Sequence, residues 1–362
     1  MTLRYALATA LDQHSRDYEI VVSDNASEDG TRAVVEGFAD DRIVYVHTGR
    51  RLSMCDNYEF ALNHARGEYV IIIGDDDAVM PGGLDFLLSR LRQTREPMIY
   101  MWPLHTYDWP GEGQAARIAH LAPQGEETTL DLKAMARNVM QLGGWRYYRL
   151  PSPYHCAVPR SILTAIAART GRVFHSTQPD VFTAMALPVY ADRAVKLERT
   201  VTLHGRSPAS NGRDFTKRKA RANIDKFIRE YGDYKFHSSL FPGVAASANM
   251  IPDAILRAKD MFPELYGDIP FDYSAMWAYV CRHRFASATQ VLLNAKAIKQ
   301  AHPMTVTRFL RYAAVHQIAG IRRHVLDALA ALRTPGPAPE TIGDFVRLLD
   351  REAGRSIGNK TQ

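Results

Sequence analysis

The chain has 362 residues, 46% of them hydrophobic, with 45 Lys+Arg against 39 Asp+Glu. That balance excludes a mainly disordered chain, a collagen-like repeat and a disulfide mini-protein. At roughly 150 residues per domain the length predicts about two domains, enough chain to bury a large core without staples.

Charge is unevenly spread. Residues 1–210 hold 22 Lys+Arg against 25 Asp+Glu, and residues 211–362 hold 23 against 14. A slightly acidic front and a basic back predict two units that face different partners. Cys55, Cys156 and Cys281 are odd in number and far apart, which argues against a disulfide framework or a cysteine zinc site and for a reducing cytosol. No run of 18 apolar residues occurs, and Met1–Tyr5 lacks the apolar core of a signal peptide. A cytoplasmic protein without a membrane span is expected. In that compartment the sequons at Asn25 and Asn359 are chance matches.

The elements alternate from the front. Leu3–Gln13 reads as a helix. Glu19–Ser23 reads as a buried strand that ends in the polar turn Asp24–Gly30. A helix over Thr31–Phe38 follows, then a strand over Arg42–His47 and a helix over Met54–Ala65 stopped near Gly67. Tyr69–Ile73 is the clearest strand, and it runs straight into Gly74-Asp75-Asp76-Asp77. Pro81 opens another helix, and Pro97–Leu104 reads as a strand. Strands separated by helices of this length predict α/β architecture, a mostly parallel sheet flanked by helices. Ligands bind such sheets beyond the carboxyl ends of the strands, where both acidic turns fall. After Asn211 helical spacing dominates: Lys217–Tyr231, Ala275–Val280, Ala286–Lys299 and Val306–Leu332. Thr334–Pro339 is Pro-rich and precedes a last helix over Thr341–Glu352, with Arg355–Gln362 frayed. The expected division is 1–210 as the α/β unit, 211–333 as a mainly helical region, and 334–362 as linker and terminal helix.

Three adjacent carboxylates after an apolar strand repel one another, and a divalent cation would neutralise them. Hard oxygen donors with no nearby Cys or His favour Mg²⁺ or Mn²⁺ over Zn²⁺, with Asp75, Asp76 and Asp77 as the candidate ligands. Such ions usually take remaining ligands from a substrate phosphate, so a nucleotide or another phosphate ester is the expected partner. The alternative is a solvated acidic loop placed before a helix N-terminus.

Glu19–Thr31, ending in Ser27-Glu28-Asp29-Gly30-Thr31, resembles the nucleotide-binding strand and turn of glycosyltransferase family 2, whose members have the GT-A fold. Ala65–Val70, then Gly74–Asp77, then Pro81–Leu84 resemble that family's metal-binding strand, its D-x-D-type motif and the helix after it. The likeness covers about residues 3–95 well and thins out towards 205. It implies an inverting, metal-dependent transfer of sugar from a nucleotide-diphosphate donor, a UDP-sugar by default, to a glycan or lipid-linked acceptor in polysaccharide biosynthesis. Asp24 and Asn25 then fall where the family contacts the base; the family often has Asp at the second position, so Asn25 is a departure. Asp76 matches the main metal-binding carboxylate, with Asp75 beside it on the donor and Asp77 as a further ligand. Asp180, in Ser176–Phe182, matches the downstream acid that takes the acceptor proton and is the expected base; the alternative is a helix N-cap. His204, Arg206 and Ser207 lie after a predicted strand, Lys196–Leu203. They fit a loop closing on the diphosphate, with His204 as a metal ligand, or an interdomain linker. Trp145–Arg149 fits an acceptor-stacking surface or core aromatics.

Family members open with a strand before the helix seen here at Leu3–Gln13. A start codon placed too late or a shortened chain is expected, rather than true loss of a central strand, which would expose sheet edges. Lys299–Arg333 interleaves Arg308, Arg311, Arg322, Arg323 and Arg333 with apolar residues at helical spacing. This fits peripheral contact with the inner, anionic face of a membrane, or the commoner bundle helix with a basic outer face. The Lys217–Arg221 cluster lacks a nucleic-acid reader motif, so no nucleic acid is expected. Two other functions compete. A sugar-nucleotide nucleotidylyltransferase would need a glycine-rich basic loop near the first strand. A non-catalytic assembly subunit would bind no metal–nucleotide pair.

Overall fold

Local signals set most of the helices. Ser53 caps one: its Oγ accepts the Asp56 N–H at 3.2 Å and its hydroxyl reaches Asp56 Oδ2 at 2.8 Å. Asp131 caps another by accepting the Ala134 N–H at 2.8 Å. Such caps contribute about 1 kcal/mol each. In the computed structural model, which describes residues 2–111, 113–122, 125–210, 220–240, 246–282, 305–333 and 339–358, they open α3 and α5. The front of the chain runs α1 (Leu3–Leu11), β1 (Ile20–Asp24), α2 (Thr31–Glu36), β2 (Ile43–His47), α3 (Met54–His64), β3 (Tyr69–Val70), β4 (Ala78–Val79), α4 (Gly83–Gln93), β5 (Ile99–Met101), β6 (Thr106–Asp108), β7 (Arg117–His120), β8 (Thr128–Asp131) and α5 (Leu132–Gln141). It continues through β9 (Cys156–Pro159), α6 (Arg160–Thr170), α7 (Pro179–Tyr190), β10 (Arg193–Lys196) and β11 (Thr202–Arg206). Helices follow: α8 (Ala220–Arg229), α9 (Ala246–Met261), α10 (Pro263–Tyr266), α11 (Tyr273–Arg282), α12 (Val306–Arg333) and α13 (Ile342–Gly358). The predicted helix Ala286–Lys299, the Lys217–Lys219 part of the basic cluster and linker residues 334–338 lie outside the described residues.

The fold is α/β with helices against the sheets and a helical C-terminal region, as expected. Strand direction departs from expectation. β1 and β2 pair in parallel, as do β5 with β10 and β6 with β11, but β3–β9, β5–β9, β8–β10, β4–β11 and β6–β7 are antiparallel. The β1–α2–β2 crossover yields a parallel pair, whereas the short connection between β6 and β7 permits only an antiparallel return. The expected strand Lys196–Leu203 is two strands in different sheets, because polar Glu198-Arg199-Thr200 crosses between them. Tyr69–Ile73 makes a ladder only at Tyr69–Val70, with a bridge from Ile72 to Tyr154. Among the described residues β1 pairs with β2 alone, so Ile20, Val21 and Val22 are half-buried rather than buried.

The main core crosses position 210. Leu163, Phe174, Phe182 and Met185 of the front share one cluster with Ile255, Phe262 and Trp277 of the helical region. Gly143 makes this junction possible: its φ is +60°, and a Cβ there would lie 2.4 Å from both the Asp272 carbonyl and the Met276 nitrogen. The last helix folds back on the front. Ile342, Phe345 and Val346 pack with Ala78, Tyr107 and Trp109, Phe345 stacks on Tyr107 at 5.8 Å, and the Tyr107 hydroxyl donates to the Pro339 carbonyl at 2.8 Å.

Candidate functional site

The acidic turn between β3 and β4 separates its carboxylates into three environments. Asp75 is exposed and accepts the Thr2 hydroxyl at 2.5 Å. Asp76 is buried, and its Oδ2 accepts the Ser207 N–H at 2.8 Å. Burial, then the neighbouring Asp77, pushes the Asp76 carboxyl up to about 6. Asp77 is fully buried; Oδ1 accepts the Gly205 N–H at 2.7 Å, and Oδ2 accepts the Gly74 N–H at 2.5 Å and the Tyr154 hydroxyl at 3.0 Å. His155 Nε2 lies 3.2 Å from the same oxygen, near enough for charge but off the line of a good hydrogen bond. Burial opposes ionisation of Asp77, but His155 and the converging donors outweigh it and hold its carboxyl below the ordinary value. Adjacent carboxylates are thus pushed apart, one ionised and one readily protonated.

Strand β11 holds this arrangement. It pairs with β4 on one side and β6 on the other, so Gly205 and Ser207 present their N–H groups to the acidic turn. A Cβ on Gly205 would sit 1.6 Å from the Asp76 carbonyl oxygen, so only glycine lets the strand pass. That carbonyl also accepts the Trp109 indole N–H at 2.8 Å. His155 is turned into place by a φ of +60° and by a 2.8 Å contact from Nδ1 to Thr202 Oγ1, which also accepts the Trp102 indole N–H. His204 stands beside Tyr154 and His155, and burial, then His155, drives its imidazole down to about 4. It is neutral at pH 7. Arg206 donates to Asp108 Oδ1 at 2.6 Å, and Arg117 donates to the other oxygen at 2.6 Å. The Arg206 charge is therefore shared with a buried carboxylate.

At the end of β1, Asp24 accepts the Ser27 N–H at 2.8 Å and the Tyr45 hydroxyl at 2.6 Å. Burial would raise its pKa, but these bonds outweigh it and hold it low. The Asn25 amide forms a two-way pair with the Leu52 backbone, accepting at 2.8 Å and donating at 2.9 Å. Its polar atoms are occupied in tying the loop before α3. That helix links the two acidic turns: Asn57 accepts the Ser23 hydroxyl at 2.7 Å, and the next residue, Tyr58, feels Asp180, Asp77 and Asp76 together.

Asp180 lies in the first turn of α7. The N-cap is Gln178, with no side-chain capping bond, so the capping role read for Asp180 is not filled. Dense packing around its carboxyl raises its pKa, with the Val181 N–H working the other way. Burial, then Asp180, raises the hydroxyl pKa of both Tyr58 and Tyr147. The structure thus joins Asp76, Asp77, His204 and Ser207 beside Tyr154, and the charges of Asp180, Asp77 and Asp76 all act to raise the hydroxyl pKa of Tyr58. Asp24 and Asn25 connect to this group through α3. Sequence reasoning missed Tyr58, Tyr154 and His155. No local pattern marks them, because 77 residues separate Tyr154 from the carboxylate it meets.

The donor set fits a hard divalent cation only through Asp75 and Asp76. Asp77 has its oxygens committed to internal donors. Among the described residues no group of three or more His, Cys, Asp or Glu side chains is arranged to hold a metal. A raised carboxyl such as that of Asp76 is one that a cation would pull back towards ionisation.

Residues 1–151 match the model of glycosyl transferase family 2. The chain is 33% identical over 94 residues to a GalNAc(5)-diNAcBac-PP-undecaprenol beta-1,3-glucosyltransferase of Campylobacter jejuni, covering 25% of this chain and 30% of that one. It is 28% identical over 128 residues to the putative glycosyltransferase EpsE of Bacillus subtilis, covering 34% and 45%. The matched stretches span less than half the length of these relatives. Among solved structures, S. aureus TarS 1-349 in complex with UDP-GlcNAc superposes with a TM-score of 0.48 at 12% identity over 88% of each chain. Residues 1–151 are thus similar in sequence to glycosyl transferase family 2.

Proposed function

We propose that the protein is a glycosyltransferase. It moves a sugar from a nucleoside-diphosphate donor, UDP-linked by default, to a hydroxyl of a glycan or lipid-linked acceptor, with inversion. The observation that supports this most is the match of residues 1–151 to the glycosyl transferase family 2 model, with exposed Asp75 and the Ser207-bound Asp76 side by side on the acidic turn. Asp180, whose carboxyl burial makes harder to ionise, is the base. In this reading Asp180 takes the proton of the acceptor hydroxyl. The acceptor oxygen attacks the anomeric carbon from the face opposite the diphosphate, and the bond from that carbon to the phosphate oxygen breaks. Asp75 and Asp76 would hold Mg²⁺ or Mn²⁺, which offsets charge on the departing diphosphate. Ser207 fixes Asp76, while Asp77 fixes β11 and His155. A lipid-linked acceptor accords with the undecaprenol-linked compound in the C. jejuni relative's name.

The test is sugar transfer from a panel of nucleotide sugars with Mn²⁺. Asp76→Asn and Asp180→Asn are each expected to lower turnover by at least ~100-fold, with Mn²⁺–UDP binding lost in the first and kept in the second. Full transfer by Asp180→Asn would remove the base assignment, and release of pyrophosphate would point to nucleotidyl transfer.

Val306, Leu310, Ile318 and Ile321 of α12 each expose more than half their surface, beside exposed Arg308 and Arg311. No helix among the described residues is long and apolar enough to cross a membrane. This stripe supports peripheral contact with an anionic bilayer at the cytoplasmic face. Co-sedimentation with phosphatidylglycerol vesicles but not phosphatidylcholine vesicles is expected, and equal recovery with both would refute it.

A further inference from the structure

We propose that Asp253, in the helical region, is a positioning residue for the loop that presents Asp180; the proposal rests on the transferase reading above. Asp253 lies on α9 and is fully buried. Its carboxylate gathers four donors from three parts of the chain. Oδ2 accepts the Ser176 hydroxyl at 2.7 Å, the Arg257 Nε–H at 2.9 Å and the Tyr234 hydroxyl, and Oδ1 accepts the His237 N–H at 2.7 Å. Arg257, one turn further along α9, places its guanidinium over the Tyr234 ring at 5.2 Å and donates to the Lys235 carbonyl at 2.6 Å.

Three of these donors, from Tyr234, His237 and Arg257, assemble the helical region itself. The fourth reaches back into the front half. Ser176 has a φ of +69°, a left-handed conformation that a residue with a side chain keeps only when its surroundings impose it. Two contacts impose it here. The Ser176 hydroxyl is held by Asp253, and its carbonyl accepts the Cys55 thiol at 2.7 Å. Only Thr177, Gln178 and Pro179 separate this pinned residue from Asp180, and Pro179 is the first residue of α7. The ring of Pro179 restricts its own backbone, so the angle set at Ser176 passes with little slack to the first turn of the helix. The body of α7 is held independently by buried Phe182, Met185 and Leu187. Releasing Ser176 therefore moves the Asp180 end while the helix stays packed. An error of about 1 Å in placing a reacting group can cost 100-fold in rate.

Ser176→Ala is the sharp variant, because it removes this one tie and leaves Asp253 three donors. Ser176→Gly removes both the tie and the strained side chain, and Asp253→Asn weakens the whole hub. Hydrogen exchange of the amides within 177–181 (Thr177, Gln178, Asp180 and Val181) and steady-state transfer kinetics are measured on the 362-residue chain. We expect Ser176→Ala to speed exchange at 177–181 at least tenfold with 183–189 unchanged. We expect kcat to fall tenfold or more with the donor KM within twofold, a split that general destabilisation does not produce. Unchanged exchange at 177–181 in Ser176→Ala overturns the proposal, and so does faster exchange with an unaltered kcat. Exchange reports on the tie even if the reaction is not glycosyl transfer. Full turnover by Asp180→Asn would instead overturn the base assignment on which the proposal rests.

Discussion

Gly205→Ala is the change that most directly tests how the acidic turn is held. An added Cβ would lie 1.6 Å from the Asp76 carbonyl oxygen, 2.5 Å from its carbon and 3.0 Å from the Trp109 indole nitrogen. Two of these neighbours are backbone atoms that cannot swing aside, so β11 must retreat by about 1.5 Å to reach ordinary contact. The Gly205 N–H to Asp77 and Ser207 N–H to Asp76 bonds stand at 2.7 and 2.8 Å, and that retreat breaks both. Each bond to a charged acceptor contributes ~1.5–3 kcal/mol. Overpacking adds ~1–3 kcal/mol. A total loss of ~4–9 kcal/mol approaches the whole stability of a typical domain, ~5–15 kcal/mol. Urea unfolding followed by tryptophan fluorescence measures it. Gly30→Ala is the control, since nothing lies within 4 Å of its Cβ position, and it should cost under ~0.5 kcal/mol. A Gly205→Ala protein within ~1 kcal/mol of wild type would refute the argument that β11 locks the turn.

Three further outcomes follow from the same contacts. Asp76 carries a carboxyl raised to about 6, above an unfolded value of ~3.9. The folded state therefore binds its proton more tightly, and the stabilisation present below about pH 4 is lost as pH rises through about 6, a swing of ~3 kcal/mol. Asp76→Asn keeps an oxygen for the Ser207 N–H. It should match wild type in urea near pH 3.5 and exceed it near pH 7.5 in metal-free buffer; an equal difference at both would contradict the assignment. Asn25→Ala removes the two bonds to Leu52 and should lower stability by ~1–2 kcal/mol. An unchanged urea midpoint would show that the loop before α3 is held by other contacts. Phe345→Ala empties a fully buried site on Tyr107, at ~3–5 kcal/mol, and should make α13 sensitive to limited proteolysis. Resistance equal to wild type would show that α13 is docked by other contacts.

What was readable in advance follows from the range of the interactions. Caps, periodicity and turn residues act within a few positions, and the helices at Met54 and Thr31 and the strand at Ile43 came out within two residues of their expected ends. Strand direction depends on where the chain returns, and the short loop after β6 reversed it. The extent of the Tyr69–Ile73 strand depends on whether both edges find partners, which no local pattern encodes. The same division runs through the site. Asp76 was legible because like charges crowd in sequence. The commitment of Asp77 was not, because its distant donors arrive from positions 154 and 205 and the imidazole beside it from position 155.

The helical region changes meaning in this light. Its basic balance first read as a second unit with its own partner, yet its core residues Ile255, Phe262 and Trp277 lie in the cluster that holds α7. Glu230 of that region also pairs with Arg51, one residue before the Leu52 loop tied by Asn25. The back of the chain thus touches the loop before α3 through Glu230 and the Ser176 loop through Asp253. A shared core predicts cooperative unfolding, since neither part has a complete apolar interior alone. Unfolding monitored by a probe on α9 and one on α3 should therefore coincide. Two separated transitions would show that the helical region is an independent attachment after all, and that Asp180 is held in place by the front of the chain alone.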